Sequence, residues 1–132
     1  MGFKKLEDST AFQLTQSFKL ATYRLVKGTP DAWRDLKYRS QLYDAVASAE
    51  SNIDEGFHRR TAGEMVQFLA VARGSISEAK RRLQDGVHRG YFQDESISAA
   101  LALGSRAAGA IAAWQRSLEP FLKKNSHKNR RP

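Results

Sequence analysis

Apolar residues recur along this chain at steps of three and four, with three clear interruptions. From about Asp8 to Lys27, the residues Phe12, Leu14, Phe18, Ala21 and Leu25 keep the helical period, which predicts an amphipathic helix. Gly28-Thr29-Pro30 ends it, because glycine caps cheaply and proline cannot continue a helix. A second helix begins between Asp31 and Lys37 and runs to about Arg59. Its seam is Tyr38, Leu42, Ala45, Val46, Ala49, Ile53 and Phe57, with Trp33 and Leu36 on the approach. Thr61-Ala62-Gly63-Glu64 has the spacing of a capping box, in which the hydroxyl accepts from the Glu64 amide and the carboxylate reaches back. A third seam follows as Met65, Phe68, Leu69, Ala72, Ile76, Ala79, Leu83 and Val87, and stops at Gly90. Asp94, or Gln93 beside it, opens a fourth helix. There Ile97, Leu101, Gly104, Ala108, Ile111, Gln115, Leu118 and Leu122 form a heptad pattern widened by Ala100, Leu103, Ala107 and Trp114. Pro120 is predicted to kink or end its last turn.

No stretch alternates strictly between apolar and polar, so no strand is predicted. The expected fold is all-α, an antiparallel up-and-down four-helix bundle over residues 1–122, with the longer helices reaching roughly 40 Å. The fourth helix is rich in small residues (Gly104, Ala107, Ala108, Gly109, Ala110, Ala112 and Ala113). These permit close helix approach but bury little apolar area each, so this helix calls for an additional partner surface.

Charge changes the picture at one end. The net charge is +8, and Lys123, Lys124, Lys128, Arg130 and Arg131 supply +5 of it within residues 123–132, which hold no acid. Such a run is expected to be a disordered basic tail that attracts polyanions. The chain has no cysteine, which excludes a disulfide framework and thiolate metal sites. Its start carries charges and no apolar run, unlike a secretory signal. Nowhere do about 18 apolar residues follow one another, so no membrane span is predicted and a cytoplasmic protein is expected.

Two stretches carry more than a period. One is Ser40-Gln41-Leu42, then Ala45, Ser48 and Ser51-Asn52-Ile53-Asp54-Glu55-Gly56-Phe57; the other is Phe68-Leu69-Ala70-Val71-Ala72-Arg73-Gly74-Ser75-Ile76-Ser77-Glu78, followed by Gly90-Tyr91. Together they resemble the four-helix bundle family encoded by intervening sequences in bacterial 23S ribosomal RNA genes, over residues 3 to 122. The resemblance implies an up-and-down bundle that assembles as a homopentamer. It also implies kinship with the accessory variability determinants of diversity-generating retroelements, basic pentamers that bind nucleic acid and a reverse transcriptase. Tyr23 and Leu25 before Pro30, and Phe12 where the family usually has tryptophan, fit too. The sequence departs from the family pattern at Glu50, where proline is common, and at Tyr43 and Asp44, where basic residues are frequent.

Candidate chemistry is sparse. Asn52, Glu55 and Gly56 are read as packing and helix-end residues, and Gly74 with Ser75 as a close-contact face between helices or subunits. Glu55-Gly-Phe-His58 and Asp85-Gly-Val-His88 both have a carboxylate and a histidine three apart, as in di-iron bundles. However, His58 and His88 fall at opposite ends of the third helix, roughly 40 Å apart. No nucleophile elbow or phosphate-cradling glycine loop occurs. A non-catalytic protein without cofactor or metal is expected.

The candidate nucleic-acid contacts are Arg73, Lys80, Arg81, Arg82 and Arg89 on the third helix, together with the five cations of the tail. Arg73 is read as bridging to a carboxylate or a phosphate, and Glu78 as muting Arg82 at i,i+4. Repeated in a ring of five, a +8 chain becomes about +40, a strong attractor of polyanions. Aromatic residues do not interleave with the cations, so backbone-directed, salt-sensitive binding of RNA or DNA is expected rather than stacking on single strands. The competing expectation is a structural or protein-interaction module that binds no nucleic acid.

Overall fold

A computed structural model describes residues 5–129, with side chains through residue 122. A 3-10 turn at Leu6–Asp8 leads into α1 (Thr10–Lys27), followed by α2 (Pro30–Arg34), α3 (Leu36–Phe57), α4 (Ala62–His88) and α5 (Asp94–Asn129). No strand occurs among the described residues.

Each start has a local cause. Ser9 caps α1 by accepting from the Phe12 amide at 3.2 Å, and Asp35 caps α3 by accepting from the Tyr38 amide at 3.1 Å. Thr61 caps α4, accepting from the Glu64 amide at 3.1 Å, while its hydroxyl donates to the Glu64 carboxylate at 3.0 Å. The indeterminate start of the second helix resolves into two pieces. Pro30 occupies the first turn of α2, which lasts five residues, and Asp35 leaves the helical conformation to restart the chain as α3. The bundle therefore has four long helices and one short one.

Four pairings set the topology. α3 lies on α4, with the Ser48 and Ser75 hydroxyls 2.9 Å apart and Tyr38 Oη donating to the Arg82 carbonyl at 2.6 Å. α4 lies on α5, where Gln115 Nε2 donates to the Val66 carbonyl at 3.2 Å and Lys80 Nζ to Ser105 Oγ at 2.6 Å. α1 lies on α3 through the 2.7 Å Lys19–Glu50 ion pair and the Tyr23 and Tyr43 rings, which meet at a tilt with centroids 4.4 Å apart. Finally, Phe18 of α1 abuts Gly104 of α5. In each pair, numbers rise on one helix as they fall on the other, so every neighbour is antiparallel and the ring closes up and down.

The seams of α3 and α4 are buried much as the periodicity predicts, from Tyr38 to Ile53 and from Met65 to Leu83. Two seams differ in phase. In α1 the buried stripe is Ala11, Phe12, Thr15, Phe18, Thr22 and Val26, so Phe12 and Phe18 of the predicted seam are inside, while Leu14, Ala21 and Leu25 are only half-buried. Thr15 stays satisfied inside by donating to the Ala11 carbonyl at 2.8 Å. In α5 the core line is Ile97, Ala100, Gly104, Ala107, Ile111, Trp114 and Leu118, with Leu101, Ala108 and Gln115 on its flank. Pro120 does not end the helix, which continues to Asn129. In a helix interior proline removes one backbone donor and crowds the carbonyl four residues back, at a cost of about 3 kcal/mol.

The α5 segment Asp94–Leu122 contains an 18-residue window of mean hydropathy 1.3, long and apolar enough by composition to cross a membrane, although no unbroken apolar run exists. Its inner face packs on α1 and α4. Only 28% of that window is buried within the chain.

Candidate nucleic-acid interface

Helical periodicity scatters the basic run Lys80-Arg81-Arg82, because consecutive residues turn about 100° around the axis. Lys80 swings toward α5, where its stem lies over Gly104 and its ammonium reaches Ser105. Arg82 swings toward α3, donating from Nη1 to Gln41 Oε1 at 2.8 Å and lying 3.5 Å from the Glu78 carboxylate. Arg81 alone points outward; the shallow 300 Å³ cleft beside it is shared with Glu78, Arg82 and Asp85.

Arg89 is a clamp. It reaches Asp85 at 2.7 Å and Asp35 at 3.3 Å, and its guanidinium lies 5.4 Å from the Tyr38 ring centre. Tyr91 completes the clamp by donating its hydroxyl to Asp35 at 2.5 Å. That hydroxyl, then the Tyr38 amide and the Arg89 charge, hold the Asp35 carboxyl below its ordinary range, against an opposing desolvation. Arg89 therefore joins α3 to the α4–α5 turn and has little charge to offer a ligand.

Arg73 is exposed on α4 and donates from Nη1 to Gln115 Oε1 at 2.9 Å. Its described partner is a neutral amide rather than a carboxylate, so its charge stays uncompensated. The acids of α4 are engaged elsewhere: Glu64 at its cap and near Arg59, Glu78 with Arg82, and Asp85 with Arg89.

Arg106 and Arg116 on α5 are exposed as well, although neither belongs to a basic run in the sequence. Each follows by one residue a side chain that faces α4, and one 100° step turns it outward. The signal lay in isolation: between Glu95 and Glu119 these arginines are the only charged residues. Arg73, Lys80, Arg81, Arg106 and Arg116 take part in no ion pair among the described residues. The tail cations Lys123, Lys124, Lys128, Arg130 and Arg131 lie outside the described side chains.

Aromatic and basic residues do interleave in space, contrary to the sequence reading. The Arg39 guanidinium lies 4.0 Å from the Trp33 ring centre, and that of Arg59 lies 4.6 Å from Phe68. Residues 33 and 39 belong to different helices, so a single helical period does not bring them together.

The residues of the two sequence motifs meet one another. Ser48 joins Ser75, Asn52 donates to the Ser48 carbonyl at 2.8 Å, and a Cβ on Gly56 would come within 2.9 Å of Phe68 Cβ. They fasten α3 to α4. Gly74 faces open space within the chain, so only its neighbour Ser75 makes a close contact there. Among the described residues no three His, Asp or Glu side chains gather as a metal site, and His58 lies exposed beside Asp54.

A closed antiparallel bundle with a packing motif between its second and third long helices and an arginine-bearing outer face defines a helical bundle protein. The chain belongs to the 23S rRNA-intervening sequence protein family, whose pattern it matches over residues 7–113. No curated protein matches the sequence.

Proposed function

We propose that this protein is a non-catalytic, homo-oligomeric helical scaffold that binds RNA or DNA through the basic outer surface of α4 and α5. The observation that carries the reading is the set of surface cations, the exposed Arg73, Arg81, Arg106 and Arg116 with the half-buried Lys80, with no acid paired to any of them among the described residues. Such a surface contacts phosphates and releases their counterions, giving affinity without base readout.

Self-association is supported by α5. A helix this apolar, with 28% of an 18-residue apolar window buried, leaves a broad face of alanine and glycine for a neighbour. A homopentamer is the assembly the family resemblance suggests, and it would multiply the charge of each protomer. In this reading the protein works in the cytoplasm as an accessory to a protein partner, a reverse transcriptase being the kind the resemblance suggests.

The same α5 face favours a second reading, a protein-interaction module without nucleic acid. Titration of RNA and duplex DNA across a salt series separates the two. The scaffold reading predicts that log K falls linearly with log salt, by about 0.9 per duplex phosphate contacted and about 0.7 on a single strand. Absent or salt-independent binding, with partner capture unchanged after deletion of residues 123–132, supports the module instead.

A further inference from the structure

The short helix α2 and the start of α3 carry the largest departure from the rule that big apolar side chains go inside. Trp33 is 41% exposed and Leu36 is 65% exposed, and they lie three residues apart at one end of the bundle. Around them stand Arg34, Lys37 and Arg39. Among the described residues Arg34 is ion-paired only with Asp31, at 3.6 Å in a pair that is more than two-thirds exposed, an arrangement worth little in water. Lys37 is exposed and belongs to no ion pair among the described residues. Arg39 is fixed twice on Trp33, with its guanidinium 4.0 Å from the ring centre and its Nη1 donating to the Trp33 carbonyl at 2.7 Å.

This double attachment gives an aromatic side chain held in place by a cation, ready before any ligand arrives. We propose that Trp33, backed by Arg39 and flanked by Leu36 and Lys37, is a stacking platform for an unpaired base of a single-stranded nucleic acid. An indole face accepts any base, the exposed leucine adds apolar contact, and the neighbouring cations match the phosphates on either side. A lipid surface fits less well, because membrane docking calls for an apolar helical face rather than one tryptophan and one leucine. A second copy of the chain also fits less well, since the two side chains offer far less area than the roughly 800 Å² per partner of a stable interface.

The platform rests on the proposed nucleic-acid binding and adds to it a preference for unpaired bases. Trp33 and Trp114 are the only tryptophans in the chain, and Trp114 is 7% exposed, so fluorescence quenching by a ligand reports chiefly on Trp33. The experiment titrates the full chain with a 20-nucleotide single strand and a 20-base-pair duplex at one salt concentration. Tryptophan emission is followed in the wild type, and anisotropy of the labelled nucleic acid in the wild type, Trp33→Ala and Trp33→Phe.

The expected result is quenching by the single strand. Trp33→Ala should lose roughly 5- to 100-fold in single-strand affinity, with partial rescue in Trp33→Phe and unchanged duplex affinity. Equal single-strand affinity in Trp33→Ala and wild type overturns the platform while leaving charge-driven binding standing. Binding of neither nucleic acid overturns both. Loss of native mass in Trp33→Ala, with single-strand affinity intact, assigns the tryptophan to contact between copies and also overturns the platform.

Discussion

Gly86 is the point where the end of the bundle is packed most tightly, and replacing it by alanine tests that packing. A Cβ there would come within 2.7 Å of the Phe92 ring and closer still to Tyr38 Oη. Both rings are buried, at 2% and 6% exposure for Tyr38 and Phe92, and the tyrosine hydroxyl is fixed by its 2.6 Å bond to the Arg82 carbonyl. Neither ring has an easy escape. In an open helix Gly→Ala would stabilise by about 1 kcal/mol. Here that gain opposes overpacking of about 1–3 kcal/mol and, if the tyrosine moves, a buried hydroxyl left unbonded, about 1–3 kcal/mol more. With both costs incurred the net expectation is destabilisation by about 1–5 kcal/mol. For a chain of this length each kcal/mol corresponds to roughly 3–4 °C in Tm, so thermal unfolding followed by circular dichroism at fixed protomer concentration should show a fall of roughly 3–20 °C. Tyr38→Phe removes the nearest atom, so the double variant Gly86→Ala with Tyr38→Phe should be less destabilised than the two single changes added together. A Gly86→Ala protein as stable as wild type or more so, or strict additivity, would refute the reasoning.

Two further expectations concern polar groups in the same fold. Because Tyr91 and Arg89 hold the Asp35 carboxyl below its usual range, the stability it confers is present above the unfolded carboxylate value and is lost as pH falls through the lower folded one. Tm measured from pH 6 downward should therefore decline below about pH 4, and Asp35→Asn should lower Tm at pH 6 and flatten that decline; an unchanged acid limb would exclude the clamp. Tyr43 carries a buried hydroxyl without a described hydrogen-bond partner, and burial raises its pKa. Tyr43→Phe should be neutral or stabilising by up to about 1 kcal/mol in urea unfolding, and a loss above 1 kcal/mol would reveal a bond that the fold conceals.

The helices themselves were legible because three of the four long ones bury ordinary apolar residues at the helical period. The phase of α1 was not, since Thr15 and Thr22 take core positions and methyl-bearing hydroxyls read as surface. The break at Asp35 was hidden for a related reason. Trp33 and Leu36 look like core residues in sequence, yet both face outward around a cap that only the folded backbone reveals. For the basic surface, sequence grouped Lys80, Arg81 and Arg82 by adjacency, whereas the helix sends them to α5, to solvent and to α3. Arg89 is basic in composition but structural in place, held between Asp35 and Asp85. Conversely, Arg106 and Arg116 form no run and so escaped a search for clusters, although an arginine in an alanine-rich helix has few acids to pair with.

Nucleic-acid binding by this protein would rest on the outward cations of α4 and α5 meeting phosphate. The most direct measurement is the salt slope of duplex binding for wild type beside a triple variant, Arg73→Gln, Arg106→Gln and Arg116→Gln, with Tm confirming that both fold. If each arginine contacts one phosphate, the slope of log K against log salt should fall by up to about 2.7 per protomer, or about 0.9 for each contact removed. An affinity and slope identical to wild type would contradict the account and place any nucleic-acid binding elsewhere on the chain.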